Sequence, residues 1–187
     1  MVQTIRLANW YDLSPHLNQT LDTQKYQTSF LGLLLLMAAS VGKEEEKGII
    51  GRVYEKGFPV IYKFINELPA ERIRSQLGWL TVISWKYDGS SNHGMPLEAE
   101  NQKMIALEDT IEDRIERAGI LQHAYSRTGN NLKELVYYIH DQEQFLEAFN
   151  QALNNHPRYP IEIKFYQDKE WGDFQGLLND FSNATNK

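Results

Sequence analysis

The stretch LGWLTVISWKY at residues 77–87 reads as a mostly buried strand, with Trp79, Leu80, Val82, Ile83 and Trp85 packed into a short span between turn residues. The order of elements after this strand decides the fold. Asp88-Gly89-Ser90-Ser91-Asn92-His93-Gly94 is a loop. Pro96 then opens a long helix to about Ala118, because a proline in the first turn removes an N–H that has no helical partner there. Leu97, Met104, Leu107, Ile111, Ile115 and Ala118 recur at helical spacing and make one apolar stripe, while Glu98, Glu100, Asp109, Glu112, Asp113 and Glu116 face elsewhere. Gly119 ends the helix. Ile120–Ser126 and Leu132–His140 predict two strands joined around Thr128-Gly129-Asn130-Asn131, whose residues accept positive φ. Asp141 caps a helix over Gln142–Asn155 that buries Phe145, Leu146, Phe149 and Leu153. Tyr159–Tyr166 alternates, with Ile161, Ile163 and Phe165 set against Glu162 and Lys164.

Residues 77–166 therefore run β-α-β-β-α-β, the ferredoxin-like split βαβ pattern of a four-stranded antiparallel sheet under two helices. The chain is an α+β protein. On the N-terminal side, Ile49–Tyr54 and Phe58–Ile65 read as a hairpin about Glu55-Lys56-Gly57 that extends the sheet. On the C-terminal side, Asp168 caps a last helix, Lys169–Phe181, with Trp171, Phe174, Leu177 and Leu178 turned inward. Residues 182–187 read as a frayed tail.

Ahead of this domain, at residues 48–181, stands an N-terminal helical arm, residues 1–47, closed by the charge run Lys43-Glu44-Glu45-Glu46-Lys47. The arm contains FLGLLLLMAA, Phe30–Ala39. A membrane-spanning helix needs about 20 apolar residues, and a secretory signal sits close behind a basic N-terminus. The run is instead read as a buried helix. Being apolar all round, it needs partners on most faces, and a homodimer through Phe30–Val41 supplies them.

The 187 residues contain no cysteine, which rules out disulfides, thiolate metal sites and cysteine nucleophiles and fits a reducing, cytoplasmic setting. The net charge of −6 speaks against binding nucleic acid through its phosphates, since that energy comes from Lys and Arg. No phosphate-binding glycine loop, zinc-protease helix or calcium loop occurs.

Several short motifs together suggest a family. Gly94-Met95-Pro96 with Glu100 resembles the opening of the long helix in the domain of unknown function 695. Leu107-Glu108-Asp109, Arg127-Thr128-Gly129 with Glu134 and Tyr137-Tyr138, and Tyr159-Pro160-Ile161 with Asp168, Trp171 and Phe174 resemble its later motifs in the same order. The likeness covers roughly residues 48–181 and departs from the pattern at Lys133, where Arg is favoured, and at Phe174, where Tyr is. It implies a ferredoxin-like domain of bacterial origin with no established activity. The fold is shared, by analogy alone, with the regulator of ribonuclease activity B.

The candidate site residues are Glu108, Asp109, Glu112, Arg127, Asp168 and Trp171. Glu108 with Glu112, and Asp109 with Asp113, are four apart on the acidic helix. Each pair has two readings, a solvated or partner-docking face and a pair of carboxylates for acid–base or metal chemistry. Asp168 and Trp171 read either as a ligand anchor or as a helix cap and a core tryptophan. His123 and His140 lie on the two hairpin strands, where a shared metal would require them to meet. No catalytic residue and no cofactor is assigned. The leading function class is a non-enzymatic protein-interaction or regulatory domain, of the regulator or immunity type, with a protein partner. A hydrolase or metal-dependent enzyme using the acidic helix is the alternative, and an RNA-binding module with an aromatic, basic sheet face is the third.

Overall fold

The computed structural model describes residues 6–7 and 48–185; the predicted helical arm, its apolar run and the dimer contact through Phe30–Val41 lie outside them. The elements in chain order are β1 Arg6–Leu7, β2 Gly48–Glu55, β3 Phe58–Ile65, α1 Glu71–Arg74, β4 Trp79–Lys86, α2 Glu98–Ile111, β5 Leu121–Gly129, β6 Leu132–Ile139, α3 Gln142–Ala152, β7 Ile161–Gln167 and α4 Gly172–Thr185.

The strands form one seven-stranded sheet in the order β1-β2-β3-β5-β6-β4-β7. Every neighbouring pair is antiparallel. Within it, β7-β4-β6-β5 is the arrangement the split βαβ pattern predicts, and the β2–β3 hairpin extends the sheet by pairing β3 with β5. Both hairpin turns are two-residue loops with positive φ at both positions: Lys56 at 51° and Gly57 at 87°, then Asn130 at 50° and Asn131 at 64°. This backbone matches the right-handed strand twist and explains the Lys-Gly and Asn-Asn pairs.

α2 and α3 cover one face of the sheet. Met104, Leu107, Ile111 and Ile115 from α2 and the turn after it, with Phe145 and Phe149 from α3, pack on Ile83, Trp85, Leu121, Leu135, Tyr137 and Ile139. The ends of the predicted apolar stripe do not join this core. Leu97 precedes the helix and is exposed, and so is Ala118. Leu146, predicted buried, also points to solvent. After Ile111 the helix widens into a π turn over Glu112–Glu116, so that the Arg117 N–H reaches the Glu112 carbonyl while Ile115 stays buried.

α4 covers the other face, where Ile49, Phe64, Leu80, Val136 and Tyr138 meet Trp171, Phe174 and Phe181. Gly51 admits this helix: a Cβ there would lie 2.1 Å from the Phe181 ring. The helix starts at Gly172, three residues later than the sequence predicts, and runs on to Thr185. Among the described residues no helix is long and apolar enough to cross a membrane.

Candidate functional site

The sheet divides the six candidate residues between its two faces. Glu108, Asp109 and Glu112 belong to α2 and its π turn on one side. Asp168, Trp171 and Arg127 lie on the α4 side, with Arg127 across from Glu134 on β6, four residues along the strand from Tyr138 and so roughly 13 Å away.

Glu108 does not share the solvated flank expected of the acidic helix. It turns inward and forms an ion pair with Lys133 of β6, the side chains being 13% and 6% exposed. Burial alone would raise its carboxyl, but Lys133 and Lys63 outweigh that and hold it down at about 2. Asp109 and Glu112 stay nearer the surface, and burial together with neighbouring carboxylates raises both. Beneath them His123 packs edge-on to Tyr137, its buried Nε2 without a hydrogen-bond partner among the described residues. Burial, with Lys63 and Lys133, pulls its imidazole down to about 4, so it is neutral at pH 7. His140 lies past the end of β6 with Nδ1 2.9 Å from the Gln76 carbonyl. The register seats His123 opposite Tyr137 and turns Tyr138, and with it His140, to the other face; the two histidines do not converge. Among the described residues no group of three or more His, Asp or Glu gathers as a metal site would.

Arg127 is almost fully buried between strands. It donates to Glu55 of β2 at 2.7 Å and to Glu134 of β6 at 3.4 Å, and Ser84 of β4 donates to the same Glu134. Glu134 faces Arg127 across the β5–β6 hairpin, whereas Glu55 and Ser84 come from strands remote in sequence and are aligned by the sheet register.

Asp168 and Trp171 are inward-facing pillars of one loop. Asp168 accepts from the Tyr138 hydroxyl at 2.6 Å and from the N–H groups of Gly172 and Asp173 at 2.8 and 3.0 Å, closing the first turn of α4. Burial acts to raise its carboxyl, but these donors hold it below its ordinary value. Trp171 is not a helix residue one turn on. It takes the left-handed conformation, φ 58°, fully buried, with its indole N–H donating to the Leu77 carbonyl at 2.9 Å. A bulky side chain at positive φ is strained and persists only where its surroundings fix it.

The loop these pillars hold lines an open, polar cleft of about 450 Å3 at the end of the sheet. Glu71 and Arg74 of α1, Trp79 at the start of β4, His140, Gln167, Lys169 and Glu170 surround it. Arg74 pairs with Glu71 and donates from Nε to the Pro69 carbonyl. The walls carry both signs of charge beside one aromatic ring. Of these residues the sequence singles out only His140, as a metal candidate; the others come with it from three separate stretches, 71–79, 140 and 167–170, and share no spacing.

The fold and these sites define an α+β split βαβ domain in which the motif residues Glu108, Arg127, Glu134, Asp168 and Trp171 are tied to other parts of the fold. Residues 53–178 match a family of unknown function, DUF695, and the chain belongs to that family. Comparison with curated proteins and with solved structures gave no match.

Proposed function

We propose that the domain is a non-enzymatic protein-interaction module, a regulator or immunity-type protein, that seats a polar segment of a partner protein in the cleft beside Trp79, His140 and Lys169. The observation that carries this reading is the engagement of four motif carboxylates, Glu100, Glu108, Glu134 and Asp168. Glu100 accepts from the Trp85 indole, Glu108 pairs with Lys133, Glu134 with Arg127 and Ser84, and Asp168 with Tyr138. Groups that acid–base or metal chemistry would need at a substrate instead brace the fold. The cleft that the Asp168–Trp171 loop shapes then offers what a partner recognises: mixed charge, an aromatic ring and, among the described residues, the edge strand β7 alongside. A bacterial, cytoplasmic setting accords with the absence of cysteine and with the resemblance.

Capture from a lysate of the source organism with the immobilised full chain, compared with an Arg74→Glu/Lys169→Glu variant of unchanged thermal midpoint, tests the proposal. A protein partner retained after ribonuclease treatment and lost in the variant is the expected result. Equal retention by both proteins overturns the cleft reading. A partner set that vanishes with ribonuclease overturns the protein-interaction reading in favour of RNA.

A further inference from the structure

β7 closes the sheet at the end away from β1. Among the described residues it pairs with β4 alone, in an unbroken register from Trp79 opposite Gln167 to Trp85 opposite Ile161. Its sequence, Ile161-Glu162-Ile163-Lys164-Phe165-Tyr166-Gln167, holds neither proline nor glycine, so no bulge or missing N–H interrupts its ladder. Ile161, Ile163 and Phe165 pack against the core under α2 and α3, yet all three are only half-buried. Glu162, Lys164 and Tyr166 stand on the opposite face and are exposed. Glu162 and Lys164 approach to 3.2 Å, with about half of each side chain open to solvent.

A lysine on an edge strand ordinarily discourages a second strand from pairing there. In β7 a glutamate two residues away makes the pattern self-complementary instead. In a two-fold contact a residue i that faces j of the other copy is itself matched by j facing i. With the axis at Ile163, an antiparallel pair of β7 strands sets Ile163 opposite Ile163, Ile161 opposite Phe165, and Glu162 opposite Lys164 on both sides of the axis. Apolar side chains then meet on the core face and unlike charges meet on the other. Neighbouring registers lose this match. An axis at Glu162 or at Lys164 puts like charges directly opposite each other, which is destabilising. A slip of one residue sets apolar side chains against charged ones.

We propose that β7 pairs antiparallel with β7 of a second copy of this chain about a two-fold axis at Ile163, joining the two sheets into one and covering Ile161, Ile163 and Phe165 more fully. Glu162 and Lys164 set the register. The contact uses none of Arg74, His140 and Lys169, so it stands or falls apart from the cleft reading.

Charge reversal on the full chain tests the pairing by sedimentation velocity, with thermal midpoints showing that each variant folds. Glu162→Lys and Lys164→Glu each turn both symmetric charge pairs into like pairs and should weaken self-association about tenfold or more. Mixed together, the two variants regain unlike pairs and should form a one-to-one heterodimer at a concentration where each alone is monomeric. The double variant Glu162→Lys/Lys164→Glu restores unlike pairs within a homodimer and should associate about as tightly as the parent chain. A parent chain that stays monomeric up to about 1 mM overturns the proposal. Amides of β7 that exchange with solvent as slowly in the monomer as those of β4 overturn it in favour of another segment of the same chain on this edge. A dimer equally tight in the parent and in every variant overturns it in favour of a different surface.

Discussion

Trp171 lies flat on Tyr138, ring centroids 3.7 Å apart and planes 9° apart, and the Tyr138 hydroxyl donates to Asp168 three residues before the indole. The pair ties the C-terminal loop to the centre of the sheet. Tyr138→Phe keeps the stack and removes the donor. Hydrogen bonds to charged groups contribute about 1.5–3 kcal/mol, so a stability loss of that order is expected in urea unfolding. Asp168 titrates below its ordinary value, so its contribution is present above that value and fades as pH falls through the folded one. In Tyr138→Phe the Asp168 carboxyl should titrate higher, as read by carboxylate NMR.

Trp171 offers a comparison between small residues. Trp→Ala in a core costs about 3–5 kcal/mol. Inside a helix Gly is less stable than Ala, but at φ 58° the order should invert because glycine has no Cβ to strain. Trp171→Gly is expected to equal or exceed Trp171→Ala in stability, by up to about 1 kcal/mol. A clear advantage for Ala would show that the loop abandons its left-handed turn once the indole is gone.

The Glu108–Lys133 pair makes a double-mutant prediction. Glu108→Gln leaves Lys133 charged and buried, and breaking a buried pair from one side costs about 3–5 kcal/mol. Glu108→Leu/Lys133→Met removes both charges at similar volume and should recover most of that loss. A full cycle by chemical denaturation checks it; additive losses would mean the pair is not coupled.

His123 sets an acid limb. Its folded value of about 4 lies below the ordinary 6.5, so the unfolded chain binds the proton first and stability falls as pH drops from about 6.5 to 4. Glu108 continues the decline from its ordinary 4.5 to about 2, as its charge is lost. His123→Gln should flatten the pH dependence between 6.5 and 4 and leave the lower limb in place. Thermal midpoints across a pH series from neutral to strongly acidic read both limbs.

The sequence by itself determined the α+β class, the strand–helix order, both tight turns and the Asp141 cap, because each rests on local periodicity or on side-chain chemistry within a few residues. The Asp141 carboxylate does accept from the Gln144 N–H, at 2.8 Å. Tertiary structure alone decided which polar residues turn inward. Helical spacing puts Glu108 beside the apolar Leu107, yet only the β5–β6–β4 register brings Lys133 under it. The left-handed turn at Trp171 has no local signature, since nothing nearby demands it; Tyr138 and the Leu77 carbonyl, far away in the chain, hold it there. The cleft joins α1, the start of β4, the end of β6 and the loop after β7, and a surface made by bringing chain ends together leaves no periodic trace in sequence.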